Sequence, residues 1–159
     1  MHPIFLPLSA ATVAHYRRGG LDSNGQPPER RIVQPGDGVP CRHTLEYLPE
    51  GSAYLVVGHR PFEGLNPYTE TGPLFLAADE AVPGAVPSSA LPPFLTAPSY
   101  LVRGYSADER IVYGTGAVTP TERIIERCAD LLARDDIAFV HIRSASNNCY
   151  HVRVERSAG

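Results

Sequence analysis

Strict alternation of side-chain character begins at Cys41. On an extended chain Cys41, His43, Leu45 and Tyr47 fall on one face and Arg42, Thr44 and Glu46 on the other. Pro49-Glu50-Gly51 then turns the chain into the apolar run Ala53 to Val57, so the pattern predicts a β-hairpin. A polar loop from Arg60 to Gly72, carrying Phe62 and Tyr68, leads to a short strand at Leu74 to Ala77. Pro83 to Pro98 is rich in proline and serine and reads as a long surface connection. A second hairpin runs from Tyr100–Tyr105 through Ser106-Ala107-Asp108-Glu109 into Ile111–Gly114. A third pairs Ile137–Arg143 with Cys149–Glu155 across the polar loop Ser144–Asn148.

Between the second and third hairpins the apolar period changes from two to 3.6. Thr119 suits an N-cap, Pro120 the first helical position and Glu122 the third, which together form a capping box. Ile124, Ile125, Cys128, Leu131 and Leu132 then recur at helical spacing up to Arg134-Asp135-Asp136, so Cys128 faces the core as a small hydrophobe. Residues 1–38 are broken by Gly19-Gly20, Asn24-Gly25, Pro27-Pro28 and Pro35-Gly36, and read as an irregular segment packed on the rest, with one or two helical turns at Thr12–Arg18. Hairpins around one long helix near the C-terminus define an α+β class with a mostly antiparallel sheet. At 159 residues the chain fits a single domain.

Composition narrows the partners. A net charge of −3 and a pI near 6.0 offer no electrostatic footprint for nucleic acid or an anionic membrane. No apolar run approaches a membrane span, and Ile4 to Val13 lacks the basic flank of a secretory signal, so a cytoplasmic protein with reduced cysteines is expected. All fourteen basic residues are arginine. The chain therefore supplies no lysine for a Schiff base, for anchoring pyridoxal phosphate or for a phosphate-binding loop. G-x-G-x-x-G, H-E-x-x-H and G-x-S-x-G are absent as well, and no cofactor is expected.

Candidate chemistry gathers at two tripeptides, Cys41-Arg42-His43 and Cys149-Tyr150-His151. If both lie on strands that pair, Cys41, His43, Cys149 and His151 supply a Cys₂His₂ set, and zinc is the one metal alternative. A second arrangement sets Cys149 opposite His141, where an imidazole would promote thiolate formation. A third is proton chemistry without a cofactor. On the last hairpin His141 and Arg143 share one strand face, while Cys149, His151, Arg153 and Glu155 share one face of the partner strand. Histidine exchanges protons near neutral pH and arginine holds a carboxylate or enolate by a fork of hydrogen bonds, with Tyr68 on its loop as a phenol donor. The bland alternative for each is a solvated sheet face and small inward thiols.

The order and spacing of Pro40-Cys41-Arg42, Pro67-Tyr68, Gly72-Pro73-Leu74-Phe75, His141 and Cys149-Tyr150 resemble the uncharacterised bacterial domain-of-unknown-function family 1203, from about Pro35 to Arg156. The resemblance implies no activity, but it singles out Cys41, Arg42, Tyr68, His141, Cys149 and Tyr150, with His43 and His151 as departures. The leading expectation is an enzyme of specialised metabolism acting on a small molecule by dehydration, isomerisation, conjugate addition or cyclisation. His141 carries the proton, Arg42 or Arg143 holds the anion, Tyr68 donates, and Cys149 acts as a nucleophile or lines the pocket beside Cys41, Tyr150 and His151. The competing expectation is a non-catalytic binding module or homodimer whose hairpins present Tyr100, Tyr105 and Tyr113 to a partner.

Overall fold

A computed structural model describes residues 1–158, which form two antiparallel sheets and two helices. The strands are β1 (Pro3–Leu6), β2 (Glu29–Ile32), β3 (Ala53–His59), β4 (Gly72–Ala77), β5 (Ser99–Tyr105), β6 (Ala117–Pro120), β7 (Phe139–Ser144) and β8 (Tyr150–Arg156); the helices are α1 (Ala10–Arg17) and α2 (Ile124–Leu132). The larger sheet has the order β1-β8-β7-β5-β6 and the smaller one β2-β3-β4. No helix among the described residues is long and apolar enough to cross a membrane.

Alternation along β7 and β8 divides the larger sheet into two faces. Val140, Ile142, Val152 and Val154 point to one side and pack with Phe5 and Val102 against Ile124, Cys128, Leu131 and Leu132 of α2. Burial pushes the Cys128 thiol up to about 12, so it stays protonated and packs as a hydrophobe. The other face carries Arg103, Tyr105, Phe139, His141, Arg143 and Arg153, and the β3–β4 loop lays Phe62 onto Tyr105 and Phe139. α1 closes the smaller sheet, with Val13 and Tyr16 against Leu55, Val57, Leu74 and Leu76.

Four elements depart from the sequence pattern. Residues 41–47 form a tight loop rather than a strand: Leu45 N–H donates to Cys41 O, Leu45 has φ 60°, and Cys41, Arg42 and His43 are all buried in succession. β3 instead pairs with β2 and β4. Ile111 makes a single bridge to Tyr105, and the true partner of β5 on that side is β6. Thr119 lies in β6 opposite Tyr100 and caps nothing; a 3₁₀ turn over Thr121–Arg123 precedes α2, giving twelve helical residues where a long helix is expected. A proline that cannot donate suits the end of an edge strand as well as a helix start, which is why the two readings compete. Within α2, Ile125 is 41% exposed and takes no part in the core. Residues 1–38, expected to be irregular, supply β1, α1 and β2.

The hairpin of β7 and β8 contains a β-bulge. Ile142 faces Val152 but Arg143 faces Tyr150, leaving His151 as the extra residue. The bulge turns Tyr150 to the face of His141 and Arg143 and sends His151 toward Phe94 and Tyr100 on the helix side. His151 therefore leaves the face that strict alternation predicts for it and that Arg153 and Glu155 share. At the far end of β8 the Arg156 guanidinium donates to Leu132 O and Arg134 O, both at 2.6 Å, and to Ile137 O, closing the end of α2. Arg156→Ala removes these three bonds and is expected to lower the unfolding free energy by about 2 kcal/mol, with Arg156→Lys losing less. Urea denaturation of the two variants checks this.

Candidate functional site

A cleft of about 240 Å³ opens where the two sheets meet. His59 at the end of β3 and Gly72–Leu74 at the start of β4 form one wall, and Arg143, Cys149 and Tyr150 of the β7–β8 hairpin form the other, with Glu70 and Asn147 between them. A larger groove of about 630 Å³ passes Tyr47 and Leu48, but none of the sequence-selected residues lines it.

Arg143 organises its wall. The residue is 3% exposed, its Nη1 donates to Glu70 Oε2 at 3.1 Å and to Asn148 O at 3.2 Å, and its Nη2 lies 3.2 Å from His141 Nδ1. Arginine only donates, so His141 Nδ1 accepts and the ring proton sits on Nε2, which is buried without a partner. Glu70 also reaches Arg103 Nη2 at 2.9 Å, so one carboxylate bridges two strands. The rings of Phe62, Tyr105, Phe139 and Tyr150 stand 4.8 to 5.2 Å from the His141 ring and seal it from solvent. Burial, reinforced by Arg143, Arg153 and Arg103, holds the imidazole well below its ordinary range. His141 is thus a neutral acceptor that fixes Arg143, and its burial removes it as a carrier of protons to a ligand.

Behind the same wall Arg42 is also buried, donating from Nε to Tyr150 O at 2.9 Å and from Nη1 to Pro40 O at 2.7 Å. Burial pulls its guanidinium down to about 10, which leaves it a cation at neutral pH. Tyr150 is partly buried in the cleft, and burial pushes its phenol up to about 12 against the pull of Arg153, Arg143 and Arg42. Cys149 is the partly exposed thiol of the chain, and Cys41 and Cys128 are buried.

On the facing wall His59 Nδ1 lies 2.7 Å from the Tyr16 hydroxyl of α1. Burial and then Arg60 pull His59 down to about 4, so its imidazole is neutral at physiological pH. Burial also raises the Tyr16 phenol above its ordinary value. Sequence reasoning missed His59 because Gly58-His59-Arg60 carries no metal-ligand spacing. The available signal was a lone histidine ending an apolar strand, just before the loop that carries Tyr68.

The structure brings Arg143, Cys149 and Tyr150 together in the cleft, with Arg42 and His141 immediately behind them. It disperses the rest. Cys41 Sγ accepts from Thr44 N and Ala77 N at 3.4 Å each, His43 Nδ1 meets Leu8 O at 3.0 Å, and His151 Nδ1 meets Cys149 O at 3.0 Å. The two Cys-x-His tripeptides thus serve separate local contacts, and no three metal-ligating side chains gather among the described residues. Tyr68 lies outside the cleft, its hydroxyl accepting from that of Tyr113 at 3.1 Å under the Arg110 guanidinium. Tyr100 and Tyr105 are buried and present nothing to a partner; of that set Tyr113 alone is exposed.

The fold and site define a small α+β domain in which two antiparallel sheets flank a cleft lined by a buried arginine, a neutral histidine and a thiol. Residues 38–156 match the family model described as Protein of unknown function (DUF1203), and the chain belongs to that family. No curated protein and no solved structure matches it.

Two measurements check this geometry. In the native protein iodoacetamide modifies Cys149, while Cys41 and Cys128 react only after unfolding, as peptide mass mapping will show; equal labelling of Cys41 contradicts the packing. His59 and His151 are both held at about 4, below the unfolded value of 6.5, so between these limits the unfolded chain binds more protons than the native one. Stability therefore falls as pH drops from 6.5 toward 4, by up to about 1.4 kcal/mol per pH unit for each such group. Urea midpoints measured across that window test the sign, and His151→Phe flattens the slope.

Proposed function

We propose that the protein is a small-molecule enzyme that uses its own side chains for acid–base chemistry in the cleft between the sheets. The observation that carries this reading is the placement of His59, neutral and hydrogen-bonded to Tyr16, across one cleft from Arg143 and Tyr150. A neutral imidazole backed by a phenol accepts a proton and returns it, and a guanidinium opposite stabilises the negative charge that develops meanwhile. That pairing serves dehydration, isomerisation and ring closure alike. At about 240 Å³ the cleft is smaller than most drug-sized pockets and suits a metabolite with few heavy atoms. Cys149 lines the site, but the neighbouring amides are already engaged: Asn148 N donates to Ser144 O and Cys149 N to Ser144 Oγ. These two backbone amides are therefore not free to hold an oxyanion formed by thiol attack, which favours proton transfer over nucleophilic catalysis.

The test is incubation of the purified protein with a bacterial metabolite extract, followed by mass spectrometry. Wild type is expected to convert one small species, and His59→Gln, which keeps a partner for Tyr16, to lose about 100-fold in rate with its melting temperature held. A species retained by the protein but unchanged would instead identify a binding domain.

A further inference from the structure

We infer that the molecule accepted by this cleft is a small organic carboxylate, held by Arg143 in competition with Glu70. The inference rests on the cleft being the working site, as proposed above, and assigns the chemical class of its occupant.

The first support is charge. The chain carries a net charge of −3, yet Arg143 lines the cleft with Arg42 buried behind its wall, and Arg103 shares with Arg143 the single carboxylate of Glu70. Arg42 is buried against carbonyl oxygens alone, with no carboxylate within salt-bridge distance among the described residues. Buried cations in such excess cost free energy unless an anion joins them. The second support is an unmet hydrogen bond. Arg143 Nε is buried with no partner, although this guanidinium is 3% exposed and otherwise tied on both terminal nitrogens. The third is the nature of the present counter-ion. Glu70 sits on the β3–β4 loop with a side chain 36% exposed, and gives each arginine a single oxygen. Neither contact is a forked pair, so a carboxylate entering from the cleft offers Arg143 what Glu70 does not.

Phosphate fits less well. Phosphate sites draw on rows of free backbone amides or a lysine, and here the turn amides of Asn148 and Cys149 are bonded to Ser144 and the chain has no lysine. A carboxylate also completes the proton chemistry. Negative charge on the ligand, facing His59 across the cleft, raises that imidazole toward neutral pH, so that binding prepares the base.

The experiment follows the rate at which iodoacetamide, an uncharged reagent, modifies Cys149 in the intact protein. Sodium malonate, succinate and benzoate are compared with malonamide at matched ionic strength. Once a carboxylate exceeds its Kd about tenfold, the free cleft and the labelling rate fall about tenfold, while malonamide leaves the rate unchanged. Asn147→Asp places a fixed carboxylate at the cleft without touching the buried arginine network, and is expected to abolish the protection. Equal protection by malonamide, protection that survives in Asn147→Asp, or no protection by any of the three carboxylates overturns the assignment. The acid–base reading fails on a separate result, unaltered turnover in His59→Gln; loss of carboxylate protection with His59-dependent turnover intact removes the carboxylate assignment alone.

Discussion

The Arg143 guanidinium is the junction on which the site depends. It joins three parts of the structure: His141 on its own strand, Glu70 on the loop from the smaller sheet, and Asn148 in the β7–β8 turn. Through Glu70 the bond continues to Arg103 on the next strand. Taking one member out of such a buried charged group leaves the others uncompensated and costs about 3–5 kcal/mol, more than most surface changes across the whole domain. The aromatic rings around His141 keep water from the imidazole end of this network, which strengthens the bond there and makes its unpaired atoms more costly.

The two faces of the larger sheet explain why a polar network can lie so deep. Val140, Ile142, Val152 and Val154 bury their share of apolar surface against α2, and that layer supplies the ordinary stability of the domain. The opposite face is free to hold arginine, histidine and tyrosine because the smaller sheet and its loop cover it. Glu109 fixes that loop from a second side, accepting from Glu63 N at 3.0 Å and Gly64 N at 2.8 Å, so the cover is braced at its tip as well as at Glu70. The cleft is the remaining opening at the edge of this cover.

Much of this was legible in the sequence where a single element sufficed. The β7–β8 hairpin, the apolar stripe of α2 and the buried role of Cys128 all follow from local periodicity, and Arg143, Cys149 and Tyr150 each stood out as candidates on that hairpin. The rest required contacts that periodicity does not encode. Cys41 to Tyr47 alternates perfectly, yet its backbone turns back on itself because Cys41 Sγ and the edge of β4 offer the better partners. The bulge at Arg143 reverses the faces of Tyr150 and His151, a one-residue shift with no signature in composition. His59 and Tyr16 lie 43 residues apart and meet only because α1 packs on β3. β1 is four residues long and begins with proline, too short to stand out before its partner β8 is known.

The central claim is electrostatic: Arg143 and the neutral His59 act on one bound anion. Titration of the imidazoles by NMR, with and without malonate, reads this directly. The account predicts that His59, near 4 in the free protein, shifts upward toward neutrality when malonate occupies the cleft, while His151, on the far side of the sheet, stays near 4. A His59 titration unmoved by malonate, or equal shifts at both histidines, would contradict it.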